Sequence, residues 1–169
     1  DLKVAGIKPN STIQYAGVVD EENGFGGALA LANESSVTAV VVAEPTDLSV
    51  VRSHKGLARF RIRAQGVAAH SSKPYLGVNA ILQMTKIIKA IEEQILPTYH
   101  DQDHPLVGSP TLNIGLISGG TQINFVPDQC VIEIDRRTIP GEKPSDAIFP
   151  FQQLIEQMTN EDREFEATV

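Results

Sequence analysis

Three consecutive acids, Asp20, Glu21 and Glu22, follow the apolar end of "YAGVV" and precede the glycine-rich "GFGG". Adjacent carboxylates repel unless water or a cation screens them. Neighbouring side chains of an extended chain point in different directions, so one carboxylate can hold a cation while the next acts on a bound water. A second candidate, Glu44, closes the apolar run Val37–Ala43, and Pro45 fixes the chain direction behind it. If both runs are strands of one α/β sheet, their carboxyl ends lie where ligands of such sheets gather. A metal centre that activates water is the chemistry this arrangement would serve. A solvated acidic turn, and a charged loop capped by Thr46 or Asp47, would be written with the same residues. The residue types alone leave both readings open.

Three further stretches carry reactive side chains. His70, in "GVAAHSSKP", follows one predicted strand and precedes a helix; a polar loop histidine is the alternative. Asn124, in "GGTQINFVPD", and Arg136 and Arg137, in "DRRTIPGE", could bind a carboxylate or another anion. Strand alternation puts the two arginines on opposite faces, so only one should meet a ligand. A glycine-rich hairpin with solvated arginines would look the same. The cluster His100, Asp101, Asp103 and His104 imitates a metal site. It falls in a polar loop after a helix end, so His100 and His104, four residues apart, are not carried on a helix and composition is all that favours it.

These residues need elements to hold them. "TIQYAGVV" (Thr12 to Val19) and "VTAVVVA" (Val37 to Ala43) read as short strands, the second apolar on both faces, with a short helix from "GFGGALALANE" between them. After "EPTDL" the pattern changes. Gly56 to Gly66 alternates with period two, and Val78, Ile81, Leu82, Thr85, Ile88, Ile91 and Ile95 recur near helical spacing. Pro97 should end that helix in a loop. "TLNIGLISGG" and "QCVIEIDRR" read as two strands, "KPSDAIFPFQQLIEQMTN" as a helix capped by Ser145 that Pro150 could kink, and "FEATV" as the start of a strand. The expected fold class is α+β. It comprises a split β-α-β-β-α-β unit over residues 48–169, with an antiparallel sheet and two helices on one face, behind a partial α/β unit over residues 1–47.

Composition narrows the partners. The chain has 169 residues and a formal net charge of -7, which disfavours non-specific contact with nucleic acid or an anionic membrane. It contains a single cysteine, Cys130, so an internal disulfide framework is excluded, and a reducing cytoplasm is the expected compartment. The sequence opens at Asp1 and closes on "EFEATV", so the expectation is a central piece of a longer protein.

In this order, "VVDEENGFGGA", "VVVAEPTDL", "HKGLARFRIRAQGVAAHSSKPYLGVNAI" and "GGTQINFVPDQCVIEIDRRTIPGE" resemble the M20 metallopeptidase and deacylase family. The resemblance runs from about Ile13 to about Glu142, and its wording is nearest the acetylornithine deacetylase and succinyl-diaminopimelate desuccinylase branch. It implies a zinc-dependent hydrolase of amide bonds, with two zinc ions (or cobalt or manganese in their place), acting on an N-acyl amino acid or small peptide. By motif position Glu21 would be the general base, and Glu22 and Glu44 would each ligate a metal. His70 would reach the partner subunit's active site in a homodimer, and Asn124 and Arg137 would contact the substrate's carboxylate or the developing oxyanion. Arg136 competes for the last role. The family also needs a His-x-Asp motif and a further histidine ligand, neither of which this sequence supplies. The chain by itself is therefore expected to hold no metal and to be inactive. Two other readings stay beside this one: a dimerisation module only, and a non-catalytic binding protein with the same fold.

Overall fold

The computed structural model describes residues 5–6, 8–22 and 24–169. They form two compact units, Asp1–Leu48 and Ser49–Val169.

In the first unit the regular element is one helix, α1 (Gly26–Glu34). Asp20, at φ 69, makes the turn in front of it. Its carbonyl accepts from the amides of Gly24 (3.3 Å) and Phe25 (2.7 Å). Its carboxylate accepts from the amide of Gly26 at 3.4 Å, meeting one of the orphan donors of the first helical turn. The strands expected at Thr12–Val19 and Val37–Ala43 are not formed among the described residues. A strand satisfies its backbone only through a neighbour, and neither run has a ladder partner among the strands of the structure. The run Val37–Ala43 is instead exposed, with Val41 at 95%.

The second unit follows the expected order: β1 (Gly56–Gln65), α2 (Ala80–Ala90), β2 (Thr111–Gly119), β3 (Gln129–Thr138), α3 (Pro144–Glu161) and β4 (Glu166–Thr168). The sheet runs β2-β3-β1-β4, and every neighbouring pair is antiparallel. Alternation decides its faces. Ile62 and Ala64 of β1 and Cys130, Ile132 and Ile134 of β3 point into one core with Met84 and Ile87 of α2, Ile91 just beyond it, and Phe151, Leu154 and Ile155 of α3. Phe60 meets Phe151 edge-on, with ring centroids 4.9 Å apart. Each fully buried isoleucine contributes about 1.5–3 kcal/mol relative to exposure. The opposite face carries Arg59, Arg61, Glu133 and Asp135, whose cross-strand ion pairs at 3.1 and 3.2 Å are exposed and contribute little.

Two helix boundaries differ from the expectation. Beyond Ala90 the chain widens through a π turn (Ile91–Ile95) and then tightens into a 3-10 helix (Leu96–Asp101). Pro97 lies in the first turn of that 3-10 helix, where a missing amide hydrogen costs nothing, so it does not end the helical path. α3 begins two residues earlier than a Ser145 cap would set it, with Lys143 at the N-cap and Pro144 at its first position. Ser145 is therefore not the cap, and its hydroxyl bonds the Asp146 carboxylate at 3.2 Å. Asn79 does cap α2, its side-chain oxygen accepting from the amides of Ile81 (3.0 Å) and Leu82 (3.2 Å).

Gly66 joins β1 to the segment that leads into α2. A Cβ there would run into the Val78 carbonyl and stand 3.0 Å from the Ala80 amide and 3.1 Å from the Pro127 carbonyl, all of them backbone atoms. Gly66→Ala is expected to destabilise the unit by about 1–3 kcal/mol, the usual cost of overpacking. Urea unfolding followed by circular dichroism measures this, and an unchanged midpoint would mean that the segment yields freely.

Candidate functional site

Glu21 and Glu22 stand in the turn between Asp20 and α1, and both are exposed. Glu44 is exposed too, and its carbonyl accepts from the Thr46 amide at 2.8 Å. The acids therefore sit on turns rather than at strand ends. Carboxylates are donors of a kind that suits zinc, but a structural or catalytic zinc needs three or four protein ligands. Among the described residues no group of three or more His, Cys, Asp or Glu side chains could hold a metal ion. Glu22 and Glu44 thus fit a metal in kind and fall short in number. The same holds for the histidine-rich loop, where His104 accepts from the Leu106 amide (3.2 Å) and Asp103 from the Ser109 hydroxyl (3.3 Å).

His70 and Asn124 are brought together. The loop after β1 and the loop before β3 run side by side: the Ser71 amide donates to the Asn124 carbonyl at 3.0 Å, and the Val126 amide to the Ala69 carbonyl at 2.8 Å. His70 and Phe125 form an isolated antiparallel bridge, and their rings meet edge-on with centroids 6.0 Å apart. Both His70 and Asn124 face solvent. Their cluster lies at the Gln65/Gln129 end of the β1–β3 pair.

The arginines are separated as alternation requires. Arg136 points into the core at 2% exposure. Its guanidinium donates to the Tyr99 hydroxyl (2.8 Å), the Glu142 carboxylate (2.8 Å) and the Arg137 carbonyl, and its carbon lies 4.4 Å from the Tyr99 ring centre. Arg137 is on the open face, its side chain 47% exposed, and it grips Asp135 through bonds of 2.7 and 3.3 Å. A ligand carboxylate at Arg137 would compete with Asp135. Arg137 pairs with Leu57 near the far end of β1, and the strand from Gln129 to Arg137 runs about 27 Å at the rise of an antiparallel strand. Arg137 and the His70–Asn124 cluster cannot grasp one small molecule within one chain.

Sequence patterns missed the turn-forming role of Asp20, and missed Tyr99, Glu142, Ser72 and Phe125, which hold the arginine and the histidine. The "HSS" triplet was the one local signal, since a serine two residues after a polar side chain often bonds back to it. Burial pushes the Tyr99 hydroxyl above its ordinary value of 10.0, against the lowering charge of Arg136. The folded state thus favours the neutral phenol. That contribution to stability is fully present below pH 10.0 and is lost as pH rises through the higher folded value. Urea midpoints measured on either side of about pH 10 should fall with alkali, and less steeply in Tyr99→Phe.

The family model for the peptidase dimerisation domain of M20 enzymes matches residues 52–163, well over half of the chain. The chain belongs to the M20 peptidase family. Among M20-type relatives, a probable carboxypeptidase from Aspergillus clavatus is 35% identical over 146 residues, covering 83% of this chain and 35% of that protein. An acetylornithine deacetylase from Vibrio parahaemolyticus is 35% identical over 146 residues, covering 82% of this chain and 38% of the relative. The chain therefore spans little more than a third of the length of these relatives. The crystal structure of an aminobenzoyl-glutamate utilization protein from Klebsiella pneumoniae has the same fold over 68% of this chain and 27% of its own, with a TM-score of 0.51 and 22% identity. Within this M20 chain no helix among the described residues is long and apolar enough to cross a membrane.

Proposed function

We propose that this chain is the central part of a zinc-dependent M20 amidohydrolase that releases an amino acid from an N-acyl amino acid or small peptide, in the cytoplasm. The observation that carries this reading is the dimerisation-domain match over residues 52–163, directly behind the Glu21–Glu22 and Glu44 acids. Alone, the chain would be inactive, because the metal donors among its described residues are incomplete.

Glu22 and Glu44 would hold one metal each, with the other donors coming from outside this sequence; the metals would polarise the amide carbonyl and acidify the attacking water. Glu21 would serve as the general base, taking a proton from the attacking water and delivering it to the leaving nitrogen. Substrate binding is divided between two subunits of a homodimer. Arg137 grips a carboxylate bidentately, a role from which Arg136 is removed by its buried partners. The His70–Asn124 cluster, some 27 Å away by strand rise, serves the active site of the partner subunit and donates to the oxyanion. The homodimer contact is isologous and uses the edge strand β2, where a bulge at Gly115 shifts the register and Leu116 and Ile117 are exposed.

A hydrolysis panel of N-acetyl, N-succinyl and aminoacyl substrates, run on the full-length enzyme before and after chelation and zinc return, tests this reading. Turnover of at least one substrate that disappears with chelation and returns with zinc is expected. Chelator-insensitive turnover, or none with any member of the panel, would refute it.

A further inference from the structure

The loop from His70 to Lys73 closes on itself around the imidazole. The Ser72 amide donates to Nδ1 of His70 at 3.2 Å, and the Ser72 hydroxyl lies 2.8 Å from the same nitrogen. A hydroxyl can donate or accept, so by itself it leaves the ring proton unassigned. The amide resolves this. A backbone N–H only donates, so Nδ1 must present its lone pair, and in a neutral ring the one proton is on Nε2. The backbone of His70 is fixed on both sides, with its carbonyl accepting from the Lys73 amide at 2.9 Å and the next amide, of Ser71, bound to Asn124 at 3.0 Å. On the ring's flank stands Phe125, edge-on at 70° between ring planes.

We propose that Ser72 and Phe125 are positioning residues for His70: Ser72 fixes the ring proton on Nε2 and Phe125 fixes the ring plane, so that His70 meets its ligand as an outward N–H donor. The ligand this fits is an oxygen with negative charge or a carbonyl, such as a carboxylate or a tetrahedral oxyanion. It does not fit a metal ion or a proton awaiting removal, because the outward nitrogen has no lone pair and the inward one is engaged by Ser72. Only the identity of that oxygen rests on the hydrolase reading given above; the tautomer does not.

Long-range proton–nitrogen NMR of the 169-residue chain tests the proposal directly. Spectra are recorded at about pH 8, above the usual imidazole range, with the His70 signals assigned by their loss in His70→Asn. One dominant tautomer is expected, with Nε2 pyrrole-like and Nδ1 pyridine-like. Ser72→Pro, which removes the amide that donates to Nδ1, should raise the minor tautomer several-fold, whereas Ser72→Ala, which keeps that amide, should keep the wild-type tautomer, with the backbone signals of β1 and β3 in place in both. Phe125→Leu should abolish the ring-current shift of the His70 carbon-bound protons. Added zinc chloride should leave the His70 signals where they are. A pyrrole-like Nδ1, a Ser72→Pro spectrum whose His70 signals match the wild type, or displacement of His70 by stoichiometric zinc would each overturn the proposal. Failure of the hydrolysis panel would leave these spectra unaltered, so the two ideas fail separately.

Discussion

Arg136→Ala is expected to lower the unfolding free energy of the Ser49–Val169 unit by about 3–5 kcal/mol, the range for removing one partner of a buried ion pair. The guanidinium serves three groups at once, and each is left worse off without it. The Glu142 side chain is only 15% exposed, so its carboxylate would stay largely desolvated and unpaired. Glu142 also accepts from the Ile139 amide at 3.1 Å, so the turn that carries Gly141 at φ 95 would loosen with it. The Tyr99 hydroxyl would lose its donor, and the 3-10 segment that follows α2 would lose its tie to β3. Arg137→Ala, one residue on, is expected to change stability by at most about 1 kcal/mol, because its ion pair is exposed. Urea unfolding of the two variants separates them. Equal midpoints would mean that the buried network holds nothing together.

The second large effect concerns chemistry. In the full-length enzyme Glu21→Gln is expected to lower turnover by about 10²–10⁴-fold, the usual share of a general base. Metal content should stay near the wild-type level, because Glu22 and Glu44 are the donors assigned here. Glu22→Gln should instead lose metal and activity together. Parallel assays of turnover and of bound zinc after gel filtration distinguish the two roles. A Glu21→Gln enzyme that keeps most of its activity would remove Glu21 from the mechanism.

How far these residues were legible in the sequence depended on where their partners lie. The alternation in "GLARFRIRAQ" specified both faces of β1, because each side chain's burial is decided by the strand's own period. The apolar run Val37–Ala43 carries an equally strong strand signal, yet it forms no ladder, since hydrogen-bonded neighbours are a tertiary property. Pro97 misled for a related reason: the residue is a stop signal in a helix interior but harmless in a first turn, and a π turn resets the count just before it. Alternation separated Arg136 from Arg137 but could not say which face was buried. That required Tyr99 and Glu142, which lie 37 residues before and six after Arg136. Asp20, the acid of the triplet with no chemical role, proves to be the one that shapes the turn presenting the other two.

The division of one active site between two subunits is the centre of this account, and a mixing experiment tests it most directly. Full-length His70→Ala and Glu21→Gln enzymes, each inactive, are unfolded together and refolded as mixed dimers. If His70 acts in the partner's site, a mixed dimer holds one complete site. Random assortment into two-fold dimers should then restore about a quarter of wild-type turnover. If His70 acts within its own subunit, every mixed dimer contains two broken sites. Turnover that stays at the level of the separate variants would contradict the account.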